Sequence, residues 1–304
     1  MKIIALGVNS AFATGTYRED GSYMPRWQSN FLVEFKMKGK VKDDIYRLVI
    51  DFGSDIRHSL AYHGLKLGDI DAWYCSHPHA DHIGGAEGIA LSTVFNPFWN
   101  KKKSEWLKNS HDGSLDAVAD RLFDGEPIPD ECKPTLWGHK SVLDELWSAA
   151  APGLKTLQGV QVVSLETYFD VKVMKSNVNY TFQDGDHRHW DVDTVMSTHV
   201  LAGTTLMPSY GLRFRSSDGK NILFPTDTLW MMPPNMSGFY KRADVIYQDC
   251  ETGIKSGVHS HIDDIRQADP VIKKKCYLYH YNEEPVVDEG EFMGVLKMGE
   301  VHEF

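Results

Sequence analysis

The stretch Ser76-His77-Pro78-His79-Ala80-Asp81-His82-Ile83-Gly84-Gly85 places four candidate metal ligands within six residues. Residues 71–76 lead into it as an apolar run that reads as a buried strand. On an extended chain His77 and His79, two positions apart, point to the same side. Asp81 and His82 follow where the chain turns into a helix, so adjacent side chains can aim at different partners. Imidazole and carboxylate donors suit zinc, manganese or iron(II). Gly84 and Gly85 let other backbone pass close by without a side-chain clash.

Three further segments repeat the construction, an apolar strand that stops at a ligand residue. They are Thr194-Val195-Met196-Ser197-Thr198-His199, Asn221-Ile222-Leu223-Phe224-Pro225-Thr226-Asp227 and Cys276-Tyr277-Leu278-Tyr279-His280. Strand ends are where layered α/β folds place their sites. Seven ligands with one shared carboxylate would hold two divalent ions about 3.5–4 Å apart, the spacing of a two-metal hydrolytic clamp.

The rest of the chain is ordinary for a globular protein. Its 304 residues are 42% hydrophobic and 24% charged, which excludes collagen, coiled coil and a disordered chain. No Pro/Ser-rich linker, low-complexity tract or repeat divides it, so one domain is expected over 1–304, with an irregular insertion at about 95–134. No run approaches the roughly 18 apolar residues of a membrane span, and the opening reads as a first strand, not a signal peptide. Cys75, Cys132, Cys250 and Cys276 show no Cys-x-x-Cys spacing, which argues against a disulfide framework or a thiolate zinc site. A cytoplasmic protein is the expectation. The net charge of −10 repels a polyanion at long range, and Lys101, Lys102 and Lys103, like Lys273, Lys274 and Lys275, read as solvated faces.

Strands are expected at 1–8, 29–36 and 46–52, an antiparallel start, then at 71–76, 160–165, 171–173, 194–198, 212–215, 222–225, 245–248 and 276–279. Helices are expected at 57–64, from 83 to 90 and at 141–150, with a final strand within 290–304. Strands and helices in both halves fit a layered α/β class.

With these motifs the chain resembles the metallo-β-lactamase superfamily, αββα sandwiches with a dinuclear metal site at strand ends between the two sheets. The resemblance implies that His77, His79 and His199 hold a first metal, that Asp81, His82 and His280 hold a second, and that Asp227 bridges them. Two divalent ions are implied, zinc first, with manganese or iron(II) as substitutes. Zinc β-lactamases usually carry a cysteine where Asp227 stands, which points away from that activity. The opening Leu6-Gly7-Val8-Asn9-Ser10-Ala11-Phe12 resembles the Leu-Gly-Thr-Gly-Ser-Ala-Phe start of tRNA 3′-processing endonucleases (tRNase Z) and related cyclic-nucleotide phosphodiesterases, with Val8-Asn9 in place of Thr-Gly. Tyr210-Gly211-Leu212-Arg213-Phe214, the segment Ala243-Asp244-Val245-Ile246-Tyr247-Gln248-Asp249 and Gly257-Val258-His259-Ser260 are similar to that branch as well. There an acidic residue and a His-Ser histidine beside the metals assist the leaving group, which implies that role for Asp249 and His259, with His261 a close competitor.

A phosphodiester suits this chemistry. Two cations offset charge developing on phosphorus, and a metal-bound water can fall to a pKa near 7. An alkoxide leaving group still needs a proton from an acid such as an Asp-oriented imidazole. Asp81, Asp249 and His259 are therefore the catalytic candidates, and attack by a metal-bridging hydroxide is the expected chemistry. A tRNA enzyme typically carries a long gripping arm between its third histidine and the bridging aspartate. Here His199 and Asp227 are only 28 positions apart. A small cyclic nucleotide is the expected substrate, and large nucleic acid and membrane partners are not expected. Phe95, Phe98, Trp99 and Trp106 of the insertion read chiefly as core, with a lid or dimer contact as the alternative. The resemblance group includes bacterial and phage enzymes that destroy cyclic-nucleotide defence signals, commonly as homodimers. Rival readings are a tRNase Z-type endoribonuclease, a lactonase or thioesterase of the same fold, and a nucleotide-binding module that does not hydrolyse. His58, His63, His111, His139 and His302 read as surface or capping residues.

Overall fold

Period-two alternation sorts the strand side chains into apolar layers. The computed structural model describes residues 1–37, 44–96, 105, 128–157, 160, 162–183, 188–230 and 236–304. Two seven-stranded sheets organise the described residues. The first takes β1 (Lys2–Gly7), β2 (Asn30–Lys36), β3 (Ile45–Ile50), β4 (Ala72–Cys75), β5 (Thr135–His139) and β6 (Asp170–Met174) in order. The second runs from β7 (Tyr180–Gln183) through β8 (His189–Met196), β9 (Tyr210–Ser216), β10 (Asn221–Thr226), β11 (Val245–Asp249) and β12 (Cys276–Tyr279) to β13 (Gly294–Val295). The last strand, β14 (Val301–Glu303), returns to the first sheet beside β1.

Along β2, Phe31, Val33 and Phe35 enter the layer between the sheets, while Leu32 joins the layer under the helices. On β10, Ile222 and Phe224 face the first sheet and Leu223 faces outward. The Phe31 ring meets Phe224, Tyr247 and Tyr279 at centroid separations of 5.2, 5.7 and 4.9 Å. Edge-on aromatic contacts of this kind add to the burial that holds the two sheets together. Helices Ile56–Tyr62, Ala86–Phe95, Lys140–Leu154 and Leu165–Tyr168 cover the outer face of the first sheet. Met236–Arg242, Ile262–Arg266 and Pro270–Lys273 cover that of the second. The expected αββα arrangement is the one observed. Among the described residues no helix is long and apolar enough to cross a membrane.

Strands β3 to β6 run parallel, as do β10 to β13. Parallel neighbours end at the same edge, so the residues that follow β3, β4, β10, β11 and β12 gather there.

Several local expectations differ from the structure. Among the described residues of the strand expected at 160–165, which are 160 and 162–165, no strand forms. Ser164 instead caps the helical turn Leu165–Tyr168, its N–H donating to the Thr167 hydroxyl at 3.1 Å. Residues 290–304 hold two short strands on different sheets, separated by Gly299 at φ +82°. The helix expected from 83 to 90 begins instead at Ala86, after the single turn Ala80–Ile83 and the Gly84-Gly85 break. β7 was not expected; only Tyr180 and Phe182 of it turn inward. Lys275 is no simple solvated charge, since its Nζ donates to the Lys241 and Ala243 carbonyls at 3.0 and 2.7 Å. Most of the 95–134 insertion, including Phe98, Trp99, Trp106 and the lysines at 101–103, lies outside the described residues. Phe95 is not core: it ends its helix 64% exposed.

Candidate metal centre

Each expected ligand stands just beyond the end of a strand. His79 is extended as it enters the turn Ala80–Ile83, on which Asp81 and His82 fall. The turn packs against the end of β3, where Phe52 N donates to His82 O at 2.7 Å and Gly85 N donates to Phe52 O at 2.8 Å. A Cβ on Gly53 would lie 2.2 Å from Asp81 O, so only glycine allows this approach. His199 follows β8, Asp227 follows β10 and His280 follows β12. The donor atoms of His77, His79, His199 and Asp227 form one group, all within 4.8 Å of one another. Those of Asp81, His82, Asp227 and His280 form a second. Asp227 belongs to both, and its Oδ2 lies 3.2 Å from His82 Nε2, 3.2 Å from His280 Nε2, 3.7 Å from His77 Nε2 and 3.9 Å from His199 Nε2. All seven expected ligands are thus brought together.

Hydrogen bonds behind the rings fix which nitrogen faces Asp227. His82 Nδ1 donates to Asp51 Oδ2 at 2.8 Å, and His199 Nδ1 donates to the Val258 carbonyl at 2.7 Å. Ser76 Oγ gives its proton to Asp51 Oδ2 at 2.8 Å, so at 2.9 Å it accepts from His77 Nδ1. Ser29 stands behind His280 in the same way, 3.0 Å from Nδ1. These four rings therefore turn Nε2 inward, the arrangement that outer partners give to metal-ligating histidines. His79 differs, with its Nδ1 3.1 Å from His199 Nε2.

The inward atoms are what a cation would satisfy. His77 Nε2, His82 Nε2 and both Asp227 carboxylate oxygens are buried without a hydrogen-bond partner. Buried polar atoms are normally paired, and a cluster of unpartnered nitrogen and oxygen atoms around one carboxylate fits a divalent ion. Burial holds His77 well below the usual imidazole range and brings His199 and His280 down to about 4, keeping them neutral as ligands must be. Burial pushes His82 the same way, but the carboxylates of Asp227, Asp81 and Asp51 outweigh it and hold that ring well above its ordinary value. The centre is strongly electronegative on that side.

Beside the clusters, Asp249 and His259 meet as expected. His259 Nδ1 lies 3.2 Å from Asp249 Oδ2 and 3.8 Å from Asp227 Oδ2. Asp249 is fully buried, and Gln248 Nε2 donates to its Oδ1 at 2.6 Å. Tyr240 in turn donates to Gln248 Oε1 at 2.5 Å, which fixes that amide. Burial raises Asp249 to about 6; for His259 burial is outweighed by the Asp249 hydrogen bond and the Asp227 and Asp249 charges, which raise it to about 9. The competitor His261 is engaged elsewhere. It caps helix Ile262–Arg266 by accepting from Asp263 N at 3.2 Å, and its Nε2 donates to the Gly253 carbonyl at 3.0 Å.

Among the other histidines, His58 stacks on Trp27, His63 meets the Leu6 carbonyl and His139 stacks on Tyr210. His302 is no surface residue: its side chain is 14% exposed and Nδ1 lies 2.6 Å from the Tyr247 hydroxyl. His111 lies outside the described residues. Asp51, Ser76 and Ser29 stand within hydrogen-bond distance of the expected ligand rings and were not anticipated from the sequence. Asp51 carried a legible signal, an acid closing the apolar run Leu48-Val49-Ile50, the pattern also seen at Asp227.

The family model described as "Anti-Pycsar protein Apyc1" matches residues 1–116 and 106–302. An anti-Pycsar protein Apyc1 from Paenibacillus harenae is 23% identical over 238 residues, 78% of each chain. Among solved structures, the metallo-β-lactamase fold protein YhfI from Bacillus subtilis aligns over 99% of both chains with a TM-score of 0.57 and 13% identity. A diphosphatase from the PhnP family aligns over 100% of this chain and 97% of its own, with a TM-score of 0.60 and 16% identity. These structural likenesses show the metallo-β-lactamase fold.

Proposed function

The chain belongs to the anti-Pycsar protein Apyc1 family, and we propose that it hydrolyses the phosphodiester of a small cyclic nucleotide at a centre of two divalent ions. It is a metal-dependent hydrolase, and the observation that carries the finer reading is the pair of donor groups sharing Asp227, with the His259–Asp249 pair alongside. His77, His79, His199 and Asp227 would hold one ion, and Asp81, His82, His280 and Asp227 the other, zinc being the first choice for this nitrogen and oxygen set. When bound, the ions supply Lewis acidity toward the phosphoryl oxygens and bring a water's pKa toward neutrality.

The chain's own residues manage the protons. Asp81 turns Oδ2 toward His82 and His280, at 3.3 and 3.8 Å, and offers its other oxygen to a proton of the attacking water. A bond forms between that water's oxygen and phosphorus as the ester bond to the sugar oxygen breaks. His259, oriented at Nδ1 by Asp249, delivers a proton from Nε2 to the departing oxygen. A small substrate is favoured by the segment between His199 and Asp227, which holds the two-residue strands Leu201–Ala202 and Thr205–Leu206 and then β9, and no gripping arm. A homodimer and a cytoplasmic location accompany this reading.

The test is product analysis by mass spectrometry after adding metal-loaded protein to cyclic mononucleotides, cyclic dinucleotides and a precursor tRNA. A linear nucleotide from a cyclic one supports the reading. Trimmed tRNA with intact cyclic nucleotides refutes it.

A further inference from the structure

We propose that Ser29 is a positioning residue for the second ion, fixing the ring of His280 through a hydroxyl with only one role left open to it. The inference rests on the reading of His280 as a metal ligand. Ser29 is 2% exposed and stands at the entry to β2. Its Oγ donates to the Asn9 carbonyl at 2.9 Å. A hydroxyl has one proton to give, so at 3.0 Å from His280 Nδ1 it can only accept. His280 must then carry its proton on Nδ1, and the Nε2 lone pair faces Asp227 Oδ2 at 3.2 Å and Asp81 Oδ2 at 3.8 Å.

The carbonyl that engages Ser29 is itself fixed. His280 N donates to Val8 O at 2.7 Å, Asn9 Nδ2 donates to Tyr281 O at 3.2 Å, and Ser10 N donates to the same carbonyl at 3.3 Å. His280 sits at φ +63°, a conformation a non-glycine residue keeps only when its surroundings hold it. The opening Val8-Asn9-Ser10 therefore clamps the backbone on both sides of His280, while Ser29 links that clamp to the ring. This gives the opening motif a physical task that its resemblance alone did not supply.

The experiment counts bound zinc by elemental analysis and measures each ion's affinity by competition with a chromophoric chelator, for wild type, Ser29→Ala, His280→Ala and the double variant. We expect Ser29→Ala to weaken one ion by about 10–100-fold and leave the other unchanged. In the His280→Ala background, Ser29→Ala should not alter the remaining ion. Wild-type affinities for both ions in Ser29→Ala would overturn the proposal, as would equal losses at both ions, which would assign Ser29 to the fold alone. Wild-type protein holding a single ion contradicts the two-ion reading instead, and the comparison of Ser29→Ala with wild type at that ion then decides the role of Ser29.

Discussion

His259 presents Nδ1 to Asp249 Oδ2 at 3.2 Å, and Asp249 is itself wholly buried and held by Gln248. The imidazole is thus oriented from the protein interior, and Nε2 is the nitrogen left to meet substrate. His259→Ala should lower kcat by about 10²–10⁴-fold, the range for loss of a general acid. Both ions should stay bound, as elemental analysis would report. Loss of an ion would make His259 a ligand and remove it from the acid role.

The same pair sets a pH dependence of stability in chelator-treated protein. His259 rises to about 9 in the folded chain, where burial is outweighed by the Asp249 bond and the carboxylates of Asp227 and Asp249. A folded value above the unfolded one means that the stability from the charged pair is lost as pH rises through about 9, while at the acid end Asp249, raised to about 6, takes on its proton as pH falls through that value. Thermal unfolding of wild type and His259→Gln should show a gap at pH 7 that closes above pH 9. A gap constant from pH 7 to 10 would refute the pairing.

Asp51 accepts from Ser76 N at 2.9 Å, from Ser76 Oγ at 2.8 Å and from His82 Nδ1 at 2.8 Å. Asp51→Ala strands three buried donors and should destabilise the metal-free chain by about 1–3 kcal/mol, measured by urea unfolding. Metal affinity should fall by about 10–100-fold. Asn at this position tolerates φ +61° and keeps one acceptor, so its loss should be smaller.

The candidate ligands are legible because they interrupt apolar strands, and the topology then brings them together. Parallel β3 and β4, and parallel β10 to β12, end at one edge, so His77 and His280 meet although far apart in the chain. Asp51 closes its strand in the same way, but its task depends on the Ser76 and His82 that the parallel register sets beside it. Ser29 and His302 gave no signal, since each acts through a partner distant in sequence, Asn9 for one and Tyr247 for the other. Val160, Val162 and Val163 favour a strand, but Ser164 caps the helical turn Leu165–Tyr168 that follows them. β7 spans only four residues, Tyr180–Gln183, too short for its alternation to stand out in the sequence.

Asp227 offers two buried oxygens with no hydrogen-bond partner. Asp227→Asn should cost the protein both ions and reduce turnover at least about 10³-fold, since the donor common to the two groups is gone. Chelation should then lower the melting temperature of wild type and leave that of Asp227→Asn nearly unchanged, because a ligand stabilises only the chain that binds it. Full metal content in Asp227→Asn would refute its bridging role.

The most direct measurement is turnover of a 3′,5′-cyclic mononucleotide in ¹⁸O-labelled water by zinc-loaded protein, followed by mass spectrometry, with Asp81→Ala as control. We expect a linear mononucleotide carrying one ¹⁸O on its phosphate, and none from the control. Cyclic nucleotide recovered intact from the metal-loaded wild type, with both ions bound, would contradict a hydrolytic phosphodiesterase.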